Sequence, residues 1–211
     1  MMAEWSKSHL KVVLVGNSGV GKSSIMTRFV DHRFTNMYRA TIGVDFLTKE
    51  MTVDQSPVVF QIWDTAGTER FHSLGTSLYC RAHCCLLVFD VTSAASFSAL
   101  DGWKKEFLAQ SCPTEPASFP FIVLGNKTDL DVREVSMNRA QLWCEAVGAQ
   151  YFECSAKEGT AIDAAFEVAA KAALHYFRSN AMDHREEVKI TSKQETNSKQ
   201  SEVLRSPQCN C

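Results

Sequence analysis

Short apolar runs alternate with stretches of helical periodicity from residue 10 to residue 177. Leu10–Val15 (LKVVLV) is β-branched, too short for a helix and ends at Gly16, so it reads as a buried strand. Lys22–Val30 then opens a helix. Gly43–Val53 and Val58–Asp64 read as two strands joined by a turn over Asp54–Pro57, a connection so short that it predicts an antiparallel hairpin. Cys84–Asp90 (CCLLVFD) and Phe119–Asn126 (FPFIVLGN) are continuous apolar runs, the mark of parallel strands covered on both faces. Tyr151–Ser155 is a shorter strand, and helices are predicted over Ser96–Ala109, Ser136–Val147 and Ala161–Phe177. Strand and helix in alternation predict an α/β fold: a six-stranded, mostly parallel sheet with one antiparallel strand and helices on both faces. In such a sheet a ligand sits at the carboxyl ends of the strands.

Beyond about Arg178 the pattern stops. Residues 180–208 are rich in Lys, Glu, Ser, Gln and Asn, with isolated apolar positions, too few to offset the entropy of ordering. The predicted organisation is therefore one domain over residues 8–178 and a disordered tail over 179–211. The rest of the composition adds exclusions. A net charge of -2 argues against a nucleic-acid partner. No apolar run approaches a membrane span, and the N-terminal segment has no signal-peptide core. Six of the eight cysteines are scattered without zinc-site or disulfide-scaffold spacing, which leaves Cys209 and Cys211 as a separate pair at the C-terminus.

The chemistry begins at the first strand end. Gly16-Asn17-Ser18-Gly19-Val20-Gly21-Lys22-Ser23 fits G-x-x-x-x-G-K-[ST] between a strand and a helix. Backbone N–H groups over Gly19, Val20 and Gly21, and the helix start at Lys22, Ser23 and Ser24, converge there on phosphates. Lys22 reaches the β/γ-phosphates and the Ser23 hydroxyl binds Mg2+. Asn126-Lys127-Thr128-Asp129 follows another strand. The Asp129 carboxylate can accept from both the ring N–H and the amino group of guanine, a donor pair adenine lacks. Lys127 can lay its stem over the ring, Asn126 can tie this loop to the phosphate loop, and Ser155-Ala156-Lys157 can offer a backbone N–H to the guanine oxygen. Asp64-Thr65-Ala66-Gly67 ends a third strand: Asp64 would hold Mg2+ and the Gly67 N–H would meet the γ-phosphate. Thr41, in the loop after the first helix, completes the Mg2+ shell only when triphosphate is bound.

Thr41-Ile42-Gly43-Val44-Asp45-Phe46 and Trp63-Asp64-Thr65-Ala66-Gly67-x-Glu69-Arg70-Phe71 resemble the signatures of Rab small GTPases, within the Ras superfamily. The segments ATIGVDFLTKE, CCLLVFDVT and FPFIVLGNKTDL look most like the late-endosomal and lysosomal branch. The resemblance implies a monomeric GTP hydrolase with Mg2+ as cofactor and GTP and GDP as substrate and product. It implies an exchange factor, an activating protein, a GDP-dissociation inhibitor, an escort protein with its geranylgeranyl transferase, and effectors in vesicle traffic. By motif position Phe34 stacks on guanine and Ser18 lies beside the γ-phosphate, while Phe46, Trp63 and Leu78 form an apolar effector patch. Cys209 and Cys211 would carry two prenyl chains, because one lipid binds a bilayer marginally and two anchor it. That places the protein on the cytoplasmic face of intracellular membranes, with a cytosolic inhibitor-bound pool.

The sequence departs from the family at Thr68, where a Gln orients the attacking water. Thr has no amide, so slow intrinsic hydrolysis is expected, and an effector platform that hardly hydrolyses GTP is the alternative reading. Leu78 stands where the effector patch has an aromatic, and Leu78-Tyr79-Cys80-Arg81-Ala82 alters the usual YYRGA. A nucleotide kinase shares the phosphate loop, but DTAG, NKTD and the missing lid argue against it.

Overall fold

The computed structural model describes residues 7–67 and 78–181. The chain divides into two units, Met1–Tyr176 and Phe177–Cys211. In the second the described residues, 177–181, are helical. The first is built from β1 (Ser8–Val15), α1 (Lys22–Asp31), β2 (Val44–Val53), β3 (Ser56–Thr65), β4 (Cys84–Asp90), α2 (Ala94–Ser98), α3 (Leu100–Ser111), β5 (Phe121–Asn126), α4 (Met137–Val147), β6 (Gln150–Glu153) and α5 over 162–176.

The strands form one six-stranded sheet in the order β2-β3-β1-β4-β5-β6. Only β2 runs antiparallel, against β3. The architecture is the one the alternation of apolar runs predicts. Residues 84–90 and 121–126 are buried throughout, because helices cover both faces of the central strands. On one face Phe29 of α1 stacks on Phe166 of α5 at 4.0 Å between centroids, and both meet Phe60 of β3 edge-on. On the other face Phe97, Leu100, Phe107, Ala140 and Cys144 pack against Val13, Leu87, Phe89 and Val123. Successive side chains of a strand point to opposite faces, so β1 serves one core with Val13 and the other with Leu14.

Register brings the strand ends level. Leu14 pairs with Asp64, Val15 with Leu87, and Asp90 with Asn126. The loops after β1, β3, β4 and β5 therefore open at one edge. β1 lies between β3 and β4, where the chain's path across the sheet reverses, and that is where α/β sheets hold ligands.

The local differences from expectation have physical causes. The hairpin turn is Asp54–Gln55 rather than Asp54–Pro57. Both residues have left-handed φ (45° and 60°) and Val53 pairs directly with Ser56, as a two-residue hairpin requires. Pro57 is tolerated inside β3 because pairing with β1 starts only at Val58. The helix expected over Ser96–Ala109 is two helices that meet at Ala99, with the Ser93 side chain capping the first by accepting from the Ser96 N–H. The last strand stops at Glu153, and Ser155 instead forms an isolated bridge with Thr160. Ala161 has φ 56°, so the final helix starts after it.

Candidate functional site

Gly16 ends β1 with φ 146°, and a Cβ there would run into the Val88 carbonyl of the neighbouring strand. Gly21, φ 100°, is the N-cap of α1, where a Cβ would strike the Asn126 amide. The helix has no capping side chain and no acid in its first turn. Its first N–H groups are left for an anion, and the positive end of its dipole adds to their effect. Lys22 is 6% exposed and donates to the Gly16 and Asn17 carbonyls at 2.8 and 3.0 Å. Burial pushes its pKa down to about 8, and the charge of Asp64 opposes that fall. A buried cation wrapped by its own loop is poised to exchange carbonyl partners for phosphate oxygens.

Beside it the structure gathers three oxygen ligands that lie far apart in sequence. The Ser23 hydroxyl lies 2.8 Å from that of Thr41 and donates to Asp64 Oδ2, which also accepts from Thr41 at 3.2 Å. Asp64 is fully buried, and burial raises its pKa despite bonds from Ser23 and Thr41 and the charge of Lys22. Its Oδ1 is buried without a partner among the described residues. Hydroxyls and a carboxylate with a spare oxygen suit a hard cation, so Ser23, Thr41 and Asp64 fit Mg2+. Gly67 packs so tightly on the phosphate loop that a Cβ would overlap the Asn17–Ser18 peptide, which keeps the two loops in register.

The opposite end of the site is a second interlocked cluster. Asn126 is 2% exposed; it donates to the Val20 carbonyl at 2.8 Å and accepts from the Ala156 N–H at 3.1 Å. One amide thus ties the phosphate loop, β5 and the loop after β6. The Ala156 N–H is therefore already engaged. The next amide, that of Lys157, has no acceptor among the described residues. Lys127 has left-handed φ (69°), and its ammonium meets Asp90 Oδ2 at 2.6 Å, which stretches its stem across the site. Asp129 accepts from the Ser155 hydroxyl at 2.6 Å and lies 3.7 Å from the Lys157 ammonium.

Both clusters open into one cavity of about 600 Å³. Ser18, Gly19, Gly21, Lys22, Ser23 and Ser24 line its phosphate end, and Asn126, Lys127, Asp129, Ala156 and Lys157 its base end. Phe34, Thr41 and Gly67 also line it. Val20, Asp64 and Ser155 do not reach its surface and act from behind through the bonds above. The Ser18 hydroxyl is 3.2 Å from that of Tyr38, so the loop after α1 lies over the phosphate end.

Away from the cavity, Phe46 and Trp63 meet at 4.7 Å between centroids, with Phe46 41% exposed. Trp63 and Leu78 are half-buried against the same core cluster. Thr68, Cys209 and Cys211 lie outside the described residues.

Some partners carry no motif in the sequence. Asp90 anchors Lys127, Trp103 donates to Asn17 Oδ1 at 2.7 Å, and Arg28 bonds the loop after β6. Each is an ordinary residue in a helix or at a strand end, and only long-range packing gives it a role.

A model of the Ras family matches residues 11–175. The chain is 55% identical to "Ras-related protein Rab7" of Drosophila melanogaster over 174 residues, 82% of this chain and 84% of that one. It is 54% identical to "Ras-related protein RABG3d" of Arabidopsis thaliana over 166 residues, covering 77% and 81%. It is 52% identical to "Ypt/Rab-type GTPase avaA" of Emericella nidulans over 176 residues, covering 82% and 86%. The chain belongs to the Ras family, in its Rab branch. It is accordingly a GTP hydrolase that uses Mg2+, and exchange factors, activating proteins, a dissociation inhibitor and effectors are its partner classes. Nothing among these relatives supports the alternative of a platform that binds GTP without turning it over.

Proposed function

We propose that this GTPase is a nucleotide-controlled switch on the cytoplasmic face of late-endosomal or lysosomal membranes, recruiting effectors when GTP is bound. The observation that carries the switch is the position of Thr41. Its hydroxyl belongs to the loop between α1 and β2, yet it joins Ser23 and Asp64 in the oxygen cluster. The same loop bears Met37, Tyr38 and Ile42, which are 67%, 71% and 87% exposed. An apolar surface is thereby attached to the atom that senses the cation and the γ-phosphate.

Within the site Lys22 supplies a positive charge where the β/γ bridge lies, and the start of α1 supplies N–H donors. Ser23, Thr41 and Asp64 would hold Mg2+, which would supply charge neutralisation at the phosphates. Asp129 and the loop after β6 select the base, and Phe34 closes over it. By motif position Thr68 replaces the Gln that orients the attacking water, and it offers a shorter hydroxyl in place of an amide. Phe46, Trp63 and Leu78 contribute to effector binding.

The membrane half of the reading rests on Cys209-Asn210-Cys211 and on the sequence likeness to Rab7-type proteins. No helix among the described residues is long and apolar enough to cross a membrane. Residues 8–178 act as the nucleotide-binding domain and the tail as a tether carrying two prenyl chains. Subcellular fractionation of the full chain tests this. The wild type is expected in the late-endosomal membrane fraction and the double variant Cys209→Ser, Cys211→Ser in the cytosol; equal membrane recovery of both refutes the tether.

A further inference from the structure

Arg28 lies on the last turn of α1 and does not reach the cavity surface, yet its guanidinium is spread over three backbone carbonyls. Nη1 donates to His32 at 3.2 Å, an ordinary way to finish a helix. The other two bonds serve no helix end. Nε donates to the Ala156 carbonyl at 2.7 Å, and Nη2 donates to the Lys157 carbonyl. These acceptors stand 128 and 129 residues away, in the loop that forms the base end of the cavity. The guanidinium also lies 5.9 Å from the centroid of Phe34, which lines the same cavity.

Peptide geometry gives this clamp a consequence. The peptide bonds are trans, so the C=O and N–H of one plane point in opposite directions. The Ala156 carbonyl is turned outward to Arg28, and the N–H of the same plane, that of Lys157, is turned the other way. Arg28 stands behind the wall that Ala156 and Lys157 present to the cavity, so that N–H faces inward. The neighbouring Ala156 N–H is already directed at Asn126 Oδ1. A planar fork with two parallel donors holds such a loop in one orientation, which a single point charge does not.

We infer that Arg28 is a positioning residue for base selection: it aims the Lys157 N–H at the 6-oxo oxygen of guanine, while Asp129 separately reads the ring N–H and the 2-amino group. The inference rests on the reading that this cavity takes guanine. Arg28 does not line the cavity and acts on base selection through the loop after β6.

The test separates the two ends of the base. Affinities of the full chain are measured by displacement of a fluorescent GDP, with three competitors: GDP, the 2-aminopurine riboside diphosphate, which lacks the 6-oxo group and with it the ring N–H, and inosine diphosphate, which lacks the 2-amino group. Arg28→Ala is expected to weaken GDP and inosine diphosphate alike, by about tenfold, because one oriented hydrogen bond is lost. It leaves the 2-aminopurine nucleotide unchanged. Arg28→Met, which keeps the stem along the helix but no donor, gives the same pattern if the truncated side chain unfolds the protein. A merely structural Arg28 would weaken all three competitors equally, and that result overturns the inference, as does unchanged GDP affinity. If the wild type itself binds GDP no better than the 2-aminopurine nucleotide, the guanine reading falls first and the clamp with it.

Discussion

Asn126→Ala removes a side chain that joins the phosphate loop, the end of β5 and the loop after β6, and its cost can be worked from the structure. The hydrogen bonds assign the amide orientation: Val20 offers a carbonyl, so the nitrogen faces it, and Ala156 offers an N–H, so the oxygen faces that. Truncation leaves both backbone groups without a partner at a position that is 2% exposed. Each buried orphan costs about 1–3 kcal/mol, so the total is about 2–6 kcal/mol. In the free protein, water in the cavity can relieve part of this, because Asn126 lines the cavity. A bound nucleotide expels that water. The penalty therefore falls on affinity more than on folding, and even its lower bound of about 2 kcal/mol corresponds to about a thirtyfold faster release of GDP at unchanged association. Stopped-flow dissociation of a fluorescent GDP, with thermal unfolding of the nucleotide-free protein alongside, measures both parts. Dissociation within about threefold of wild type would refute the view that Asn126 holds the site together.

Further expectations can be checked separately. Asp129→Asn should exchange guanine for xanthine preference in competition binding, because the acceptor becomes a mixed donor and acceptor; untouched GTP affinity would remove Asp129 from base reading. Thr68→Gln should raise single-turnover GTP hydrolysis without activating protein by about tenfold or more, since it restores an amide beside the water; an unchanged rate would show that Thr68 is not limiting. His83 is held neutral, its pKa brought down to about 4 by burial and then by the charge of Lys11. Above pH 6.5 it is neutral folded and unfolded, so it adds no pH dependence; between 6.5 and about 4 only the unfolded chain takes up the proton, so stability falls as pH falls, by roughly 3 kcal/mol in all, with no further loss below. Urea unfolding of His83→Gln, whose side-chain oxygen can still accept from the Lys11 N–H, should show a shallower slope over that window; an unchanged slope would refute the assignment.

The sequence alone determined the elements and the two ends of the site. Short continuous apolar runs bounded by turn residues are typical of strands buried on both faces, and a glycine-rich turn between a strand and a helix suits its N–H groups to phosphate. Those signals are local, so Gly16–Ser23, Asp64–Gly67 and Asn126–Asp129 were legible without a fold. Even locally, Asp54–Gln55 and Ala161 escaped, because left-handed backbone at residues other than glycine leaves a weak mark in composition. The tertiary structure decided the rest. Strand register brought Ser23, Thr41 and Asp64 onto one point, set Asp90 against Lys127, and put Arg28 behind the Ala156–Lys157 peptide. It also showed that Asn126 takes the Ala156 N–H. Such contacts span tens to more than a hundred residues of chain, and no periodicity or short motif encodes them; they exist only once the sheet has aligned its strand ends.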